Sequence, residues 1–183
     1  MAVRGRVRFK ADDIWEAPDD EYRYEVIDGE LFMTPSPSWK HQEALMKLSA
    51  YLALWVFPRQ LGRLVQAPLG VVLDAETAVQ PDLLYVSRER GGIISERGVE
   101  GAPDLVVEVL SPRTVARDRG IKMRRYAAAG IAHYWIVDPE ARTVESYRLT
   151  EQGYERTGVH GPSSIFEPAL FPGLAIPVDD LWS

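Results

Sequence analysis

Short apolar runs alternate with polar breaks along this chain, and the period of each run predicts its element. Tyr22 to Ile27 and Leu31 to Thr34 flank Asp28-Gly29, a dipeptide suited to a tight turn because Gly tolerates positive φ, so the two runs read as a β-hairpin. Thr34-Pro35-Ser36-Pro37-Ser38 breaks the pattern. Ala44, Leu45, Leu48, Tyr51, Leu52 and Trp55 then recur at helical spacing between a Ser38 cap and Phe57-Pro58, which predicts the longest helix. Arg63 to Leu73 and Leu83 to Val86 read as strands joined by the turn Asp74-Ala75-Glu76-Thr77, and Leu105 to Leu110 as a third strand after a stretch rich in Gly and Arg. Thr114 to Ala129 reads as a helix between Ser111-Pro112 and Gly130. Gly120 costs about 1 kcal/mol against Ala in a helix interior, so the helix is expected either to begin near it or to approach another backbone there. His133 to Val137 is a strand ended by Asp138-Pro139, with Thr143 to Leu149 as its hairpin partner. The tail from Tyr154 mixes short strands with Pro and Gly, and no internal repeat is found.

One residue violates the pattern it stands in. The apolar run Leu105-Val106-Val107-Glu108-Val109-Leu110 carries a carboxylate in its middle. An ionised Glu taken out of water without compensation costs several kcal/mol or neutralises itself, so Glu108 needs a cation, strong donors or an edge facing a cleft. Alternate residues of a strand share a face, which sets Val106, Glu108 and Leu110 against Leu105, Val107 and Val109. Pro81-Asp82 opens the preceding strand while Glu108 lies late in its own, so antiparallel pairing of the two would bring the carboxylates together. Two such carboxylates suit Mg²⁺ or Mn²⁺, hard ions that usually take one or two protein carboxylates and complete their shell with water or substrate phosphate. The Val109 carbonyl is a third candidate ligand. Lys122, on the next helix, would stabilise developing negative charge, and Tyr126, one turn further on the same face, would orient it.

Composition narrows the partners. The chain has 183 residues, 46% of them apolar, which is enough for one buried core; the expected division is an N-terminal arm over 1–20, basic and loose to residue 10 with a short helix around Asp12 to Glu16, and one domain over 21–183. A net charge of −6 argues against coating nucleic acid nonspecifically. The stretch from Arg113 to Arg125 nevertheless carries a balance of +5, through Arg113, Arg117, Arg119, Lys122, Arg124 and Arg125 against Asp118. It reads as a site for a polyanion or as a solvated helix face. The absence of cysteine excludes disulfides, thiolate zinc sites, iron–sulfur clusters and thiol nucleophiles. No apolar stretch reaches the roughly 20 residues that span a bilayer, and the basic N-terminus has no signal-peptide core, so a cytoplasmic protein without a membrane partner is the expectation.

A helix, three strands, a helix and a strand, with Pro-Asp on the second strand and Glu on the third, resembles the PD-(D/E)XK nuclease superfamily that includes type II restriction endonucleases. Val79-Gln80-Pro81-Asp82-Leu83-Leu84-Tyr85-Val86, Gly101-Ala102-Pro103-Asp104-Leu105-Val106-Val107-Glu108-Val109-Leu110-Ser111-Pro112 and Tyr134-Trp135-Ile136-Val137-Asp138-Pro139 look like the Uma-two family of endonucleases, over roughly Tyr24 to Leu149. The resemblance implies a restriction-endonuclease-like α/β fold, a central mixed β-sheet flanked by helices with an N-terminal hairpin. It also implies Mg²⁺- or Mn²⁺-dependent hydrolysis of DNA phosphodiester bonds by Asp82, Glu108 and Lys122. The superfamily Lys stands two residues after the Glu, where this chain has Leu110; in the Uma-two group its role passes to a Lys on the following helix, the place of Lys122. The resemblance further implies a supporting contact from Glu30, which stands in a matching Asp-Gly-Glu, and a first helix whose His41 or Glu43 reaches the cleft. Arg113, Arg117, Arg119, Arg124 and Arg125 would guide the phosphate backbone, and a homodimer would pair two sites to cut two strands.

Plainer readings stand beside these. Asp82 after Pro81 caps a turn in many chains, Glu108 is satisfied equally by an Arg, and a Lys on an Arg-rich helix is usually solvated. A helical His is more often satisfied within the fold than catalytic, and Glu30 reads as a surface acid beside its turn. Asp104 reads as a strand-start residue, with Tyr134 and Trp135 as core aromatics. Two other functions compete: a noncatalytic descendant of the nuclease fold that binds nucleic acid or protein, and a glycosidase using two carboxylates without metal.

Overall fold

Asp28 and Gly29 both take positive φ, 55° and 73°, and close the predicted hairpin between β1 (Tyr22–Ile27) and β2 (Glu30–Pro35). In the computed structural model, which describes residues 7–182, the chain continues through α1 (Trp39–Val56), β3 (Gly62–Gln66), β4 (Gly70–Asp74), β5 (Thr77–Val79) and β6 (Leu83–Ser87). β7 (Gly98–Glu100) and β8 (Leu105–Val109) follow, then α2 (Val115–Arg117), a π-helical segment (Asp118–Lys122) and α3 (Met123–Ala128) running on from one another. β9 (His133–Asp138), β10 (Thr143–Thr150), β11 (Gly153–His160), β12 (Ile165–Phe166) and β13 (Ile176–Pro177) complete it.

Two mixed sheets carry the architecture. The larger has the order β11-β10-β9-β8-β6-β3, antiparallel except between β8 and β9, and the smaller has the order β2-β1-β5-β4-β7. The alternation of β8 explains how the layers stack. Leu105, Val107 and Val109 face α1, whose Ala44, Leu45, Leu48, Leu52 and Val56 share a core with Phe166, Phe171 and Ile176 of the tail. Val106 and Leu110 face the other way, into a core with Leu84, Tyr126, Tyr134 and the smaller sheet's Ile27 and Val79. Glu108 is on this second face, between the larger sheet and the basic helix.

Several expectations are corrected. The run Arg63 to Leu73 is two strands in different sheets, separated at Pro68, which has no N–H to give a ladder. The Asp74–Thr77 turn joins β4 to β5, not to the strand at Leu83. β5 and β7 are three residues each, too short for a period-2 signal, so six strands rather than three separate α1 from the basic helix. That helix begins at Val115, well before Gly120, and a Cβ built on Gly120 would meet nothing within 4 Å, so close backbone approach does not explain the glycine. Of the expected loose arm, residues 1–6 lie outside the described residues. Farther along, the Phe9 N–H donates to the Gly29 carbonyl at 3.0 Å, and Ala11 and Ile14 are buried with Val26 and Ala78 on the smaller sheet. Among the described residues, no helix is long and apolar enough to cross a membrane.

Candidate active site

β6 and β8 pair antiparallel with Leu83 opposite Val107 and Leu84 opposite Val106; one further step of that register sets Asp82 across from Glu108. Both carboxylates are buried, at 2% and 1% exposure. Asp82 Oδ2 accepts the Val109 N–H at 2.7 Å, while Oδ1 accepts from Arg23 at 2.7 Å and lies 3.4 Å from His41 Nε2. Glu108 Oε1 accepts from the Tyr126 hydroxyl at 2.5 Å and lies 2.5 Å from Lys122 Nζ.

Lys122 reaches this place through an uneven helix. Thr114, Asp118, Lys122 and Tyr126, four apart in sequence, are all buried. In an uninterrupted α-helix of 3.6 residues per turn a four-residue spacing drifts steadily around the axis. The π-helical segment between Asp118 and Lys122, with its wider i→i+5 turn, rotates the stripe back, so all four face the sheet. The alignment lets Lys122 touch Glu108, lie 3.9 Å from Asp118 Oδ1 and donate to Glu25 Oε1 at 2.8 Å.

Glu25 and Arg23 are site residues that the sequence reading missed. β1 points Arg23, Glu25 and Ile27 toward the larger sheet. Glu25 is fully buried, accepts the Gln80 N–H at 2.9 Å, and lies 3.5 Å from Arg117, whose guanidinium also donates to Thr34 Oγ1 at 2.6 Å. The signal was available: Glu25 stands among apolar neighbours in Tyr24-Glu25-Val26-Ile27, the same misplacement that flagged Glu108. The acid the hairpin delivers is therefore Glu25, while Glu30 is exposed beside the turn.

Four carboxylates around few cations split in their protonation. Burial pushes Glu108 up from the ordinary 4.5 to about 8, with Asp118, Asp82 and Glu25 adding to the rise and Lys122 opposing it. Burial also opposes the charge of Lys122, but Glu108, Glu25 and Asp118 outweigh it and raise the ammonium above its ordinary value. Burial works against ionising Asp82 too, yet the His41 hydrogen bond and the Arg23 charge hold it well below the carboxylate range. Glu25 is likewise lowered, burial being outweighed by Lys122, Arg23 and Arg117. Arg23 and Arg117 assist Glu25 while Glu108 shares Lys122 with two other acids, so burial favours the protonated form of Glu108 and the acids favour the charged form of Lys122.

A cleft of about 830 Å³ opens on this cluster. Asp82, Arg23, His41, Gln80 and Arg113 line it, whereas Glu108, Glu25 and Lys122 are buried and do not. Glu43 pairs with Lys47 along α1, and Asp104 accepts the Ser87 N–H at 2.7 Å and pairs with Arg90. The basic helix is not the solvated cationic face it resembles. Arg117 pairs with Glu25, Arg119 donates to Glu145 through Nη1 and Nη2 at 3.0 and 2.5 Å, and Arg125 pairs with Asp28; Arg113 and Arg124, like Arg119, are exposed. These pairs form because the helix packs against three acid-bearing pieces of chain, β1, the turn after it and β10.

The donor set fits a hard divalent ion in chemistry. The extended register sets Asp82 across from Glu108, and Glu25 Oε2 is a buried oxygen that accepts no hydrogen bond. Among the described residues no group of three or more acidic or histidine side chains converges to hold an ion, but Mg²⁺ usually takes only one or two carboxylates.

The family model of Uma2, described as "Putative restriction endonuclease", matches residues 11–179. A solved structure from Anabaena variabilis ATCC 29413, described as "a putative nuclease belonging to DUF820", superposes with a TM-score of 0.77 over 95% of this chain and 97% of that one, at 22% identity. At that identity the likeness shows a shared fold, the restriction-endonuclease-like arrangement. The curated proteins contain no match.

Proposed function

We propose that this chain, which belongs to the Uma2 family, hydrolyses DNA phosphodiester bonds with a divalent metal ion, Mg²⁺ or Mn²⁺, held by Asp82 and Glu108. The observation that carries the reading is the Lys122 ammonium 2.5 Å from Glu108, on the carboxylate that stands across the strand pair from Asp82. A structural ion pair needs no such company, whereas phosphoryl transfer needs acids to hold an ion beside a cation that meets developing charge.

When bound, the ion would polarise a phosphoryl oxygen and acidify a water. The chain's own groups supply the rest. Arg23, which lines the cleft with a side chain 20% exposed, is placed to exchange Asp82 for an incoming phosphate, since guanidinium can bind either in a forked geometry. That exchange would relieve Asp82 Oδ1 of its guanidinium and leave it with His41 alone, while the Val109 N–H keeps Oδ2 in place; the Val109 carbonyl is the remaining candidate ligand. Glu108 would release its proton on binding. Glu25 and Tyr126 position Lys122 and Glu108, and Lys122 would offset the charge gathering on the phosphate. Arg113, exposed in the cleft, is the cation of the basic segment best placed to meet the strand's backbone.

A noncatalytic descendant of the fold is the second reading, favoured by one observation: Asp82, Glu108 and Glu25 are each already partnered by a cation of the chain. Incubating purified protein with plasmid and single-stranded DNA, in Mg²⁺ or Mn²⁺ and in chelator, separates the two. Metal-dependent cutting that Asp82→Ala abolishes supports hydrolysis; no cutting, or equal cutting by the variant, favours the descendant.

A further inference from the structure

We infer, resting on the nuclease reading above, that the substrate is an unpaired DNA strand threaded into the cleft, not an intact duplex laid across it. The reacting groups are recessed. Asp82, which lines the cleft, is 2% exposed, and Glu108 and Lys122, at 1% each, do not line it. The phosphate to be cut must descend to these buried groups. The cleft, about 830 Å³, has the size of a small-molecule pocket and is lined by the Pro-rich link Thr34–Ser38 and by Ser111–Thr114.

A duplex resists such a descent. Its persistence length of about 50 nm forbids bending a short segment sharply into a pocket, and extruding nucleotides costs a few kcal/mol. An unpaired strand bears neither cost.

Charge argues the same way. Asp19, Asp20 and Glu21 line the cleft and repel each added phosphate, so they penalise two charged strands more than one. Duplex binding also rests on many cations meeting phosphates, and Arg117, Arg119 and Arg125 are committed to Glu25, Glu145 and Asp28. Single-strand sites rely instead on aromatic faces that stack bases. Tyr22, 39% exposed, lines the cleft beside Arg23 in sequence and supplies that face. Cutting one strand asks for one site, so this reading dispenses with the dimer that duplex cleavage would want.

The test measures binding of a labelled single-stranded oligonucleotide and of its duplex by anisotropy without metal, then cleavage of both with Mn²⁺. The single strand is expected to bind and be cut at least about tenfold better, and Tyr22→Ala to weaken its binding roughly 5- to 100-fold while Tyr22→Phe preserves it. Equal or better binding of duplex, or single-strand binding untouched in Tyr22→Ala, overturns the inference. A clear single-strand binding preference with no cleavage of either form would instead sink the nuclease reading and leave the cleft as a binding site for an unpaired strand.

Discussion

Lys122 donates to Glu25 across 97 positions of sequence, at 2.8 Å and out of contact with water. The bond fastens the basic helix to the N-terminal hairpin, and it holds the ammonium over Glu108. Removing Glu25 leaves Lys122 short of a partner and Arg117 without its carboxylate. Glu25→Ala is therefore expected to lower unfolding free energy by about 3–5 kcal/mol, read from urea denaturation. A loss below about 1 kcal/mol would show that the pair does not hold the layers together.

The same pair predicts a coupling. Glu25→Gln and Lys122→Met each break a buried ion pair, whereas together they leave no uncompensated charge between them. The double variant should cost at least about 1 kcal/mol less than the sum of the singles. Additive losses in the cycle would mean that the two groups act independently.

Glu108 sets a pH dependence whose sign follows from its raised carboxyl. Between its ordinary 4.5 and about 8, the folded chain keeps a proton that the unfolded chain releases. The stability this group contributes is full at low pH and falls as pH rises through that window, by up to about 1.4 kcal/mol per pH unit. Asp82 and Glu25, held low, contribute stability that is lost as pH falls toward their folded values. Denaturation from pH 5 to 8 should therefore show a downward slope that Glu108→Gln flattens. An unchanged slope would place the proton elsewhere.

The arginines of the basic segment should separate by partner. Arg113→Ala is expected to weaken DNA binding and reduce the slope of log affinity against log salt by about 1. Arg119→Ala should leave that slope alone and cost about 1–3 kcal/mol of stability, because it strands the Glu145 carboxylate, whose side chain is 8% exposed. Equal salt slopes in the two variants would contradict this division.

The sequence told most about the larger sheet and least about the smaller. The runs behind α1, β6, β8, β9 and β10 were long enough for their periods to show, and the Asp28-Gly29 turn announced its hairpin. β5 and β7 gave no periodic signal, and their pairing with β1 and β4 depends on contacts distant in sequence. Asp82 and Glu108 meet because β6 and β8 pair antiparallel, an adjacency the sequence allows but does not show, since a helical turn and β7 of the other sheet stand between them in the chain. Lys122 was placed by family resemblance, while its burial depends on a π-helical segment that no propensity scale marks. Glu25 was passed over though it broke the apolar pattern of β1 as Glu108 breaks that of β8. Its significance appears only when the smaller sheet folds over the larger and turns a hairpin residue toward the helix.

Calorimetric titration with Mn²⁺ tests the central claim most directly. The wild type is expected to take up about one ion per chain, and Asp82→Ala and Glu108→Ala to lose that uptake while remaining folded by circular dichroism. No uptake by the wild type, or equal uptake by all three proteins, would contradict a metal ion held between these two acids.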